Sequence, residues 1–387
     1  MRSNLGFFSD EKFRSIFFQT LVIGLFALGI FFVVNTTAYN LEKRNIATGW
    51  SFLQNPAGFD ISFSPFLEFK STDTHLKVYF VGVLNTLLVS ITGCIAATIL
   101  GFLLGIIRLS SNWLLSRLVY IYVEFSRNVP LLLQIILWYS ILIQLPRVKQ
   151  SLQVLDVFYI SNRGLYSPRP IFESGFTYVL IAILLALISS FLINRWAKKR
   201  QDKTGQQFPV FSSSIGLIFV VPLILFFILG SPMSFEHPEL KGFNFKGGLV
   251  IRPEFIAMFL ALSIYTAAFI SEIVRAGIMS VSKGQREASA AIGLKQTWIM
   301  RLIIIPQALR VIVPPLTSQY LNLTKNSSLG IAVGYADLVH GFGGISLNQT
   351  GQAIECMVIV MATYLTISLT ISFFMNIYNR SIQFKEK

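Results

Sequence analysis

A chain of 387 residues is long enough for two or three soluble domains, yet 53% of it is hydrophobic and only 13% is charged, about half the charged share of an ordinary soluble domain. Its 35 phenylalanines fall in repeated apolar runs, several above the roughly 18 residues that mark a membrane helix, which excludes one oversized soluble core. The net charge of +14 invites a nucleic-acid reading, which the placement of that charge opposes.

The chain reads as an all-α integral membrane protein with about eight spans: Ser15–Val34, Val78–Ile107, Leu118–Ile143, Tyr178–Ile193, Ser212–Leu229, Phe255–Ala276, Val311–Leu338 and Ile354–Ile377. The first is an uncleaved span rather than a signal peptide, because its apolar stretch is long and Asp10 and Glu11 spoil a basic leader. The second, about 45 Å long as helix, exceeds a hydrocarbon core of ~30 Å and must tilt or project. The seventh is the least regular, interrupted by Pro314, Pro315 and the polar run "LTKNSSLG". An even number of spans puts both termini on one side. With that side cytoplasmic, its segments carry 18 Lys and Arg against 5 Asp and Glu, whereas the outward segments carry 11 against 9. The run "RWAKKRQDK" at Arg195–Lys203 is the strongest anchor. The basic balance is therefore a topology signature.

Three outward loops, Tyr39–Leu76, Pro146–Thr177 and Ser231–Glu254, mix aromatics with Pro and Gly and are expected to be ordered, either as caps over helix ends or in direct contact with substrate. Cys94 and Cys356 fall inside spans, so no disulfide framework is implied, and His75, His237 and His340 are expected as solvated loop histidines rather than a metal site. No repeat of fixed period is visible.

One inner loop differs from its greasy surroundings: "GQREASAAIGLKQTWIMRLIIIPQ", Gly284–Gln307. Residues Glu287–Ile292 have high helix propensity, and Gly293 suits the left-handed residue that ends a helix. Glu287 suits the helix's positive end, and Ala288, Ser289, Ala290 and Ala291 let another surface approach the backbone. A second amphipathic run places Trp298, Ile299, Leu302 and Ile303 on one side, and Pro306 opens the next element. The residues describe a short helix on the cytoplasmic face, shaped for docking.

The spacing of Glu287, Ala288, Gly293, Ile303 and Pro306, with Gly284 before them, resembles the "EAA" loop of the inner-membrane subunits of bacterial ABC importers. Ser289 and Ile305 replace the usual Ala and Leu, each with a residue of its size class. The flanking "YTAAFISEIVRAGIMSVSKGQ" and "LRVIVPPLTSQYLNLTKNSSLG", and the earlier "VGVLNTLLVSITGCIAATILGFLLGIIRLSSNW" and "YVEFSRNVPLLLQ", resemble the polar amino-acid branch. The resemblance covers the second, third, sixth, seventh and eighth spans, the branch's five-span core. The extra first span, the inserted fourth and fifth, and "NIATGW", "NPAGFDIS" and "NRGLY" resemble a permease subunit of the general L-amino-acid transporter subfamily.

That resemblance implies a type I importer core with three extra spans, divided as 1–77 (extra span and outward loop), 78–144 (first part of the core), 145–254 (inserted pair) and 255–387 (second part, with the coupling loop at 281–306). It implies a second, non-identical permease, two ATPase subunits that use the ATP and Mg, and a periplasmic amino-acid-binding protein on the outer face of a bacterial inner membrane. The chain itself would bind no cofactor. In such importers the "EAA" helix sits in a cleft of the ATPase and converts its closure into alternating access.

Charges within spans are the remaining candidates. Lys325, fifteen positions after Arg310, would lie about 22 Å along a helix, where a lysine must face protein or water. With Asn322, Asn326, Ser327 and Ser328 it forms a polar strip. Its cation suits the carboxylate that every amino acid carries; alternatively it pairs with an acid or carbonyls and fixes a broken helix. Glu124 with Arg127, and Glu272 with Arg275, are spaced to pair on one helix face. Asn85 with Thr86, and Tyr265 with Thr266, are polar pairs that either join helices or line a path; Thr86, Tyr265 and Thr266 are the path candidates. No Gly-Lys pair exists for a phosphate loop, nor H-E-x-x-H or G-x-S-x-G, so no enzyme is expected. An ion-coupled secondary transporter or channel would need paired broken helices, and would leave the docking helix unexplained.

Overall fold

The computed structural model describes residues 11–44, 46 and 48–383. The terminal segments whose sidedness the charge count addresses, and Asn45 and Ala47 of "NIATGW", lie outside the described residues. The helices are α1 (Glu11–Lys43), α2 (His75–Ile107), α3 (Trp113–Asn128), α4 (Leu131–Ile143), α5 (Phe176–Thr204), α6 (Val210–Ile228), α7 (Pro253–Met279), α8 (Lys283–Ala291), α9 (Gln296–Val333) and α10 (Ala353–Ile382). Seven of them are long and apolar enough to cross a membrane, or eight if α3 and α4 form one broken span. The chain is a multi-pass membrane protein of the all-α class.

Two expected spans differ from the reading above. The third is not continuous: α3 stops at Asn128, Val129 is extended (φ −91°, ψ 126°), and α4 starts after Pro130. The proline ring disfavours helical backbone in the residue before it, which ends α3 there. The seventh is a helix straight through Pro314 and Pro315, and its break comes later, where Ser327–Val333 tightens to 3₁₀ before Gly334 at φ +76°. Membrane helices tolerate proline where surrounding groups re-satisfy the backbone. Leu338 therefore lies beyond that span and opens a π-helical segment, Leu338–Ser346.

By contacts the chain forms two units, Met1–Leu132 with Ala261–Lys387, and Leu133–Leu260. In the first, α2 lays a glycine face on α7. A Cβ at Gly101 would sit 2.5 Å from Ile270 Cγ2, and one at Gly105 would sit 2.8 Å from the Ser271 carbonyl. These glycines, four apart, are a small-residue contact of the kind that lets membrane helices approach closely. Gly101→Leu is expected to destabilise the chain by about 1–3 kcal/mol through overpacking, read as a lower thermal midpoint in detergent.

At the other end of α2 the first long loop acts as a cap. Its Phe52 and Ala57 are buried with Val78, Leu338, Phe342, Cys356 and Val360. His75, expected in solvent, is instead only 3% exposed, because its ring lies against Phe52 and Phe59 and its Nδ1 is 2.9 Å from Ser346 Oγ. His340 is half-buried and His237 is exposed.

The second unit carries the inserted helices and short strands that the loop composition did not foretell. Strands β1 (Leu152–Val154), β2 (Phe158–Ser161), β3 (Gly164–Ser167) and β8 (Leu249–Ile251) form an antiparallel sheet in the order β1-β2-β3-β8. Strand β4 (Arg169–Phe172) pairs with β5 (Met233–Glu236), and β6 (Glu239–Lys241) pairs with β7 (Asn244–Lys246). Val148, Tyr166 and Phe245 make a small core beneath them, and the Tyr166 hydroxyl donates to Asn244 Oδ1 at 3.0 Å. The antiparallel pair α5 and α6 packs together, and α6 widens to a π turn at Gly216–Val220 ahead of Pro222.

Candidate functional site

The docking-shaped helix forms as its residues require. α8 ends in paired reverse bonds, from Gly293 N–H to the Ala290 carbonyl (2.9 Å) and from Leu294 N–H to the Ser289 carbonyl (3.3 Å), with Gly293 at φ +82°. This is the Schellman arrangement, which needs a glycine-like residue at that point. Every α8 side chain is exposed except Ser289, whose hydroxyl turns back to donate to the Gln285 carbonyl at 2.5 Å. The serine is thus satisfied within its own helix and leaves the alanine face unaltered. Gly284, Glu287 and Ala288 are exposed, Ile292 is 76% exposed, and Glu287 has no partner among the described residues. A face of alanine, isoleucine and an unpaired carboxylate is left open.

The run after α8 differs in its buried side. Ile299 and Ile304 are buried, while Trp298 and Leu302 are 49% and 57% exposed and Ile303 and Pro306 are half-buried. The cause is the π turn at Met300–Ile304. Its i→i+5 bonding brings 299 and 304 onto one side, where ordinary helical spacing would have chosen 299 and 303.

The polar strip around Lys325 divides. Ser318, Asn322 and Lys325 are exposed along one face of α9 at helical spacing, and Lys325 has no partner among the described residues. Asn326 and Ser328 are half-buried, the latter donating to the Lys325 carbonyl at 2.7 Å. Ser327 is fully buried, donating to the Thr324 carbonyl at 2.8 Å and lying 3.2 Å from the Tyr364 hydroxyl. Thr86 is also buried, its hydroxyl accepting from Leu338 N–H at 3.1 Å. Tyr265 is half-buried and Thr266 buried.

Of the paired charges, Glu124 and Arg127 are 4.0 Å apart and both more than a third exposed, with the guanidinium over the Phe269 ring at 5.4 Å. Glu272 and Arg275 meet at 2.5 Å. Glu272 also accepts from Arg108 at the end of α2. Sequence spacing missed Arg108, which lies 164 positions away. Its side chain is 9% exposed and stacks over Tyr120 at 5.3 Å, so one carboxylate joins α7 to α2 through two cations.

A second cluster was also missed. Asn85 Nδ2 donates to the carbonyls of Phe63 and Ala336, and its own carbonyl accepts from the Tyr335 hydroxyl. Next to it Asp337 is fully buried between the spans; Oδ1 accepts from His340 N–H at 2.8 Å and Oδ2 from the Tyr364 hydroxyl at 3.3 Å. The available signal was an acid inside an interval read as membrane. Burial raises the Asp337 carboxyl from about 3.8 to about 6. Its contribution to stability is therefore fully present below the unfolded value and lost as pH rises through 6, by up to about 3 kcal/mol. Asp337→Asn keeps an acceptor for His340 without the charge. Its thermal midpoint in detergent is expected above wild type at pH 7.5, with the two converging near pH 5. Asp337→Ala, which keeps no acceptor, should melt below wild type at both.

Similarity to known proteins now decides the family. The family model described as binding-protein-dependent transport system inner membrane component matches residues 195–384. The chain is 49% identical over 379 residues to the General L-amino acid transport system permease protein AapQ of Rhizobium johnstonii, covering 98% of this chain and 94% of that one. The chain belongs to the amino-acid ABC transporter permease family. It is also 46% identical to the putative amino-acid ABC transporter permease protein YhdX of Escherichia coli, over 98% of this chain and 97% of that one. The Glutamate/glutamine/aspartate/asparagine transport system permease protein BztB of Rhodobacter capsulatus is 43% identical, with 98% and 96% covered. The similarity runs the whole length of this permease, so its extra span and inserted pair are shared with full-length relatives. It has no Gly-Lys pair for a phosphate-binding loop.

Proposed function

We propose that this permease forms the translocation pathway for L-amino acids in an ATP-driven importer of a bacterial inner membrane. Both termini are cytoplasmic, and the pathway is shared with a second, non-identical permease. Two ATPase subunits, which hydrolyse Mg-ATP, dock on the coupling loop 281–306. A loaded amino-acid-binding protein docks on the outer loops. The observation that carries the reading is the exposed α8, with its open alanine face and unpaired Glu287 between two membrane helices.

In this reading Gly284, Glu287, Ala288, Ser289, Gly293, Ile303 and Pro306 make the ATPase contact or hold it in place. Closure of the ATPases drags α8, and the helices on either side, α7 and α9, transmit the movement. The Arg108–Glu272–Arg275 group ties α2 to α7 so that they move together. Lys325, with Asn326, Ser327, Ser328, Thr86, Tyr265 and Thr266, is assigned to the pathway or its support, Lys325 presenting a cation to the substrate carboxylate. Mild-detergent extraction of the tagged chain, followed by mass spectrometry, should recover an ATPase and a second permease. Amino-acid-stimulated ATP hydrolysis should accompany that complex. A chain recovered alone that still moves amino acids would defeat the proposal.

A further inference from the structure

The inserted unit carries a cavity on its outer loops. Immediately after the last turn of α4, residues 144–150 together with Asn162, Arg163 and Phe243 line an open cavity of about 780 Å³. This is within the range of ligand-binding cavities, roughly 300–1,000 Å³. Arg147, Lys149 and Arg163 line it, and no acidic residue does. None of the three cations has an ion-pair partner among the described residues; Lys149 Nζ instead lies 4.1 Å from the centre of the Phe243 ring. The wall is rigid at its back, where Val148 is buried against Tyr166 and Asn162 N–H donates to the Pro146 carbonyl at 2.9 Å. Three unopposed cations around one cavity select an anion, and arginines match phosphate oxygens especially well.

The depth of the cavity and the shape of its surroundings say where that anion comes from. Ile141 and Ile143, in the last turn of α4, are 46% and 45% exposed as lipid-facing residues are, and the cavity begins at the next residue. With α4 taken as the outer end of a broken span, the cavity falls at the level at which phospholipid phosphates lie. The hairpins nearby are tipped with apolar side chains rather than polar ones. Leu155 is 80% exposed at the centre of the turn between β1 and β2, held at φ +52° beside Asp156 at φ +56°. Such turns favour Asn, Asp or Gly, and a leucine there is disfavoured both by backbone strain and by water. Phe243, after Gly242 at the β6–β7 tip, is 78% exposed. Large apolar tips beside a ring of cations match a surface that dips into the acyl boundary while basic groups hold the headgroups.

We infer that the inserted unit binds an anionic phospholipid, with its phosphate among Arg147, Lys149 and Arg163 and with Leu155 and Phe243 set into the leaflet. This rests on the proposed topology for the depth at which α4 ends and for which leaflet is involved. The test uses the complex in nanodiscs of phosphatidylcholine with or without phosphatidylglycerol. Native mass spectrometry counts the phospholipid retained by wild type and by the triple variant Arg147→Gln, Lys149→Gln, Arg163→Gln. Each basic residue at an anionic surface contributes roughly a factor of five, so phosphatidylglycerol should be held on the order of 100-fold less tightly by the variant. In a second measurement that leaves the cations intact, a tryptophan replacing Leu155 should be quenched by brominated phospholipid. Equal lipid retention by both proteins, displacement of the lipid by millimolar inorganic phosphate, or a tryptophan shielded only by added binding protein would each overturn the assignment. ATPase co-purification, scored on the same samples, reports on the transport reading separately.

Discussion

Glu287→Lys is expected to insert at wild-type level and to lose amino-acid uptake together with ATPase co-purification. Insertion should be unaffected because Glu287 is exposed and has no partner among the described residues, so no internal contact is broken. Docking should fail because α8 offers a partner a smooth alanine face and one charge near it. Truncating one member of a desolvated, hydrogen-bonded charge pair costs about 2–5 kcal/mol at protein interfaces, and reversal adds repulsion. Association should therefore weaken on the order of 100-fold or more. Glu287→Gln, which keeps an acceptor, should fall between the two. Ala288→Trp provides an independent check, since a large ring on the open face blocks close approach without touching charge. Unchanged uptake and unchanged ATPase recovery in both Glu287→Lys and Ala288→Trp would remove α8 as the docking element.

The parts of this architecture that were legible are those governed by local rules. Apolar length located the membrane helices, although α1, α5 and α9 run nine to fifteen residues past the expected ends, and glycine chemistry placed the end of α8 at Gly293, which adopts φ +82°. The three-residue spacing found Glu272 with Arg275. Features that depend on distant chain were not legible. Arg108 reaches Glu272 only because the glycines of α2 let it lie close against α7. Asp337 is buried because three separate segments converge on it, so sequence showed an acid but not its partners. Strands of three or four residues are too short to establish a two-residue period. The prolines gave a mixed signal. Pro130 stops a helix, whereas Pro314 and Pro315 lie inside one. Helical spacing also misplaced Ile303, since a π turn changes the register by one residue without any glycine or proline to announce it.

Lys325→Met is expected to raise the amino-acid concentration needed for half-maximal uptake while leaving protein level and assembly normal. The residue sits in the last α-helical turn of α9, in line with exposed Ser318 and Asn322, immediately before the chain tightens at Ser327. The buried neighbours on the other side of that turn are already bonded: Ser327 to the Thr324 carbonyl, and Asp337 to His340 and Tyr364. The lysine is therefore the side chain at this break with charge to offer elsewhere. A cation inside a membrane protein must be matched by water, a partner protein or a passing anion. A hydrogen bond to a charged group contributes about 1.5–3 kcal/mol, so losing one to the substrate carboxylate should raise the half-saturating concentration roughly ten- to hundredfold. Lys325→Arg, which keeps the charge at a slightly longer reach, should recover much of the loss. Methionine fills nearly the same volume, so packing against a second permease should survive the change. If Lys325→Met instead abolishes recovery of the second permease while Lys325→Arg restores it, the cation joins subunits. The substrate carboxylate must then be held by other groups along the path.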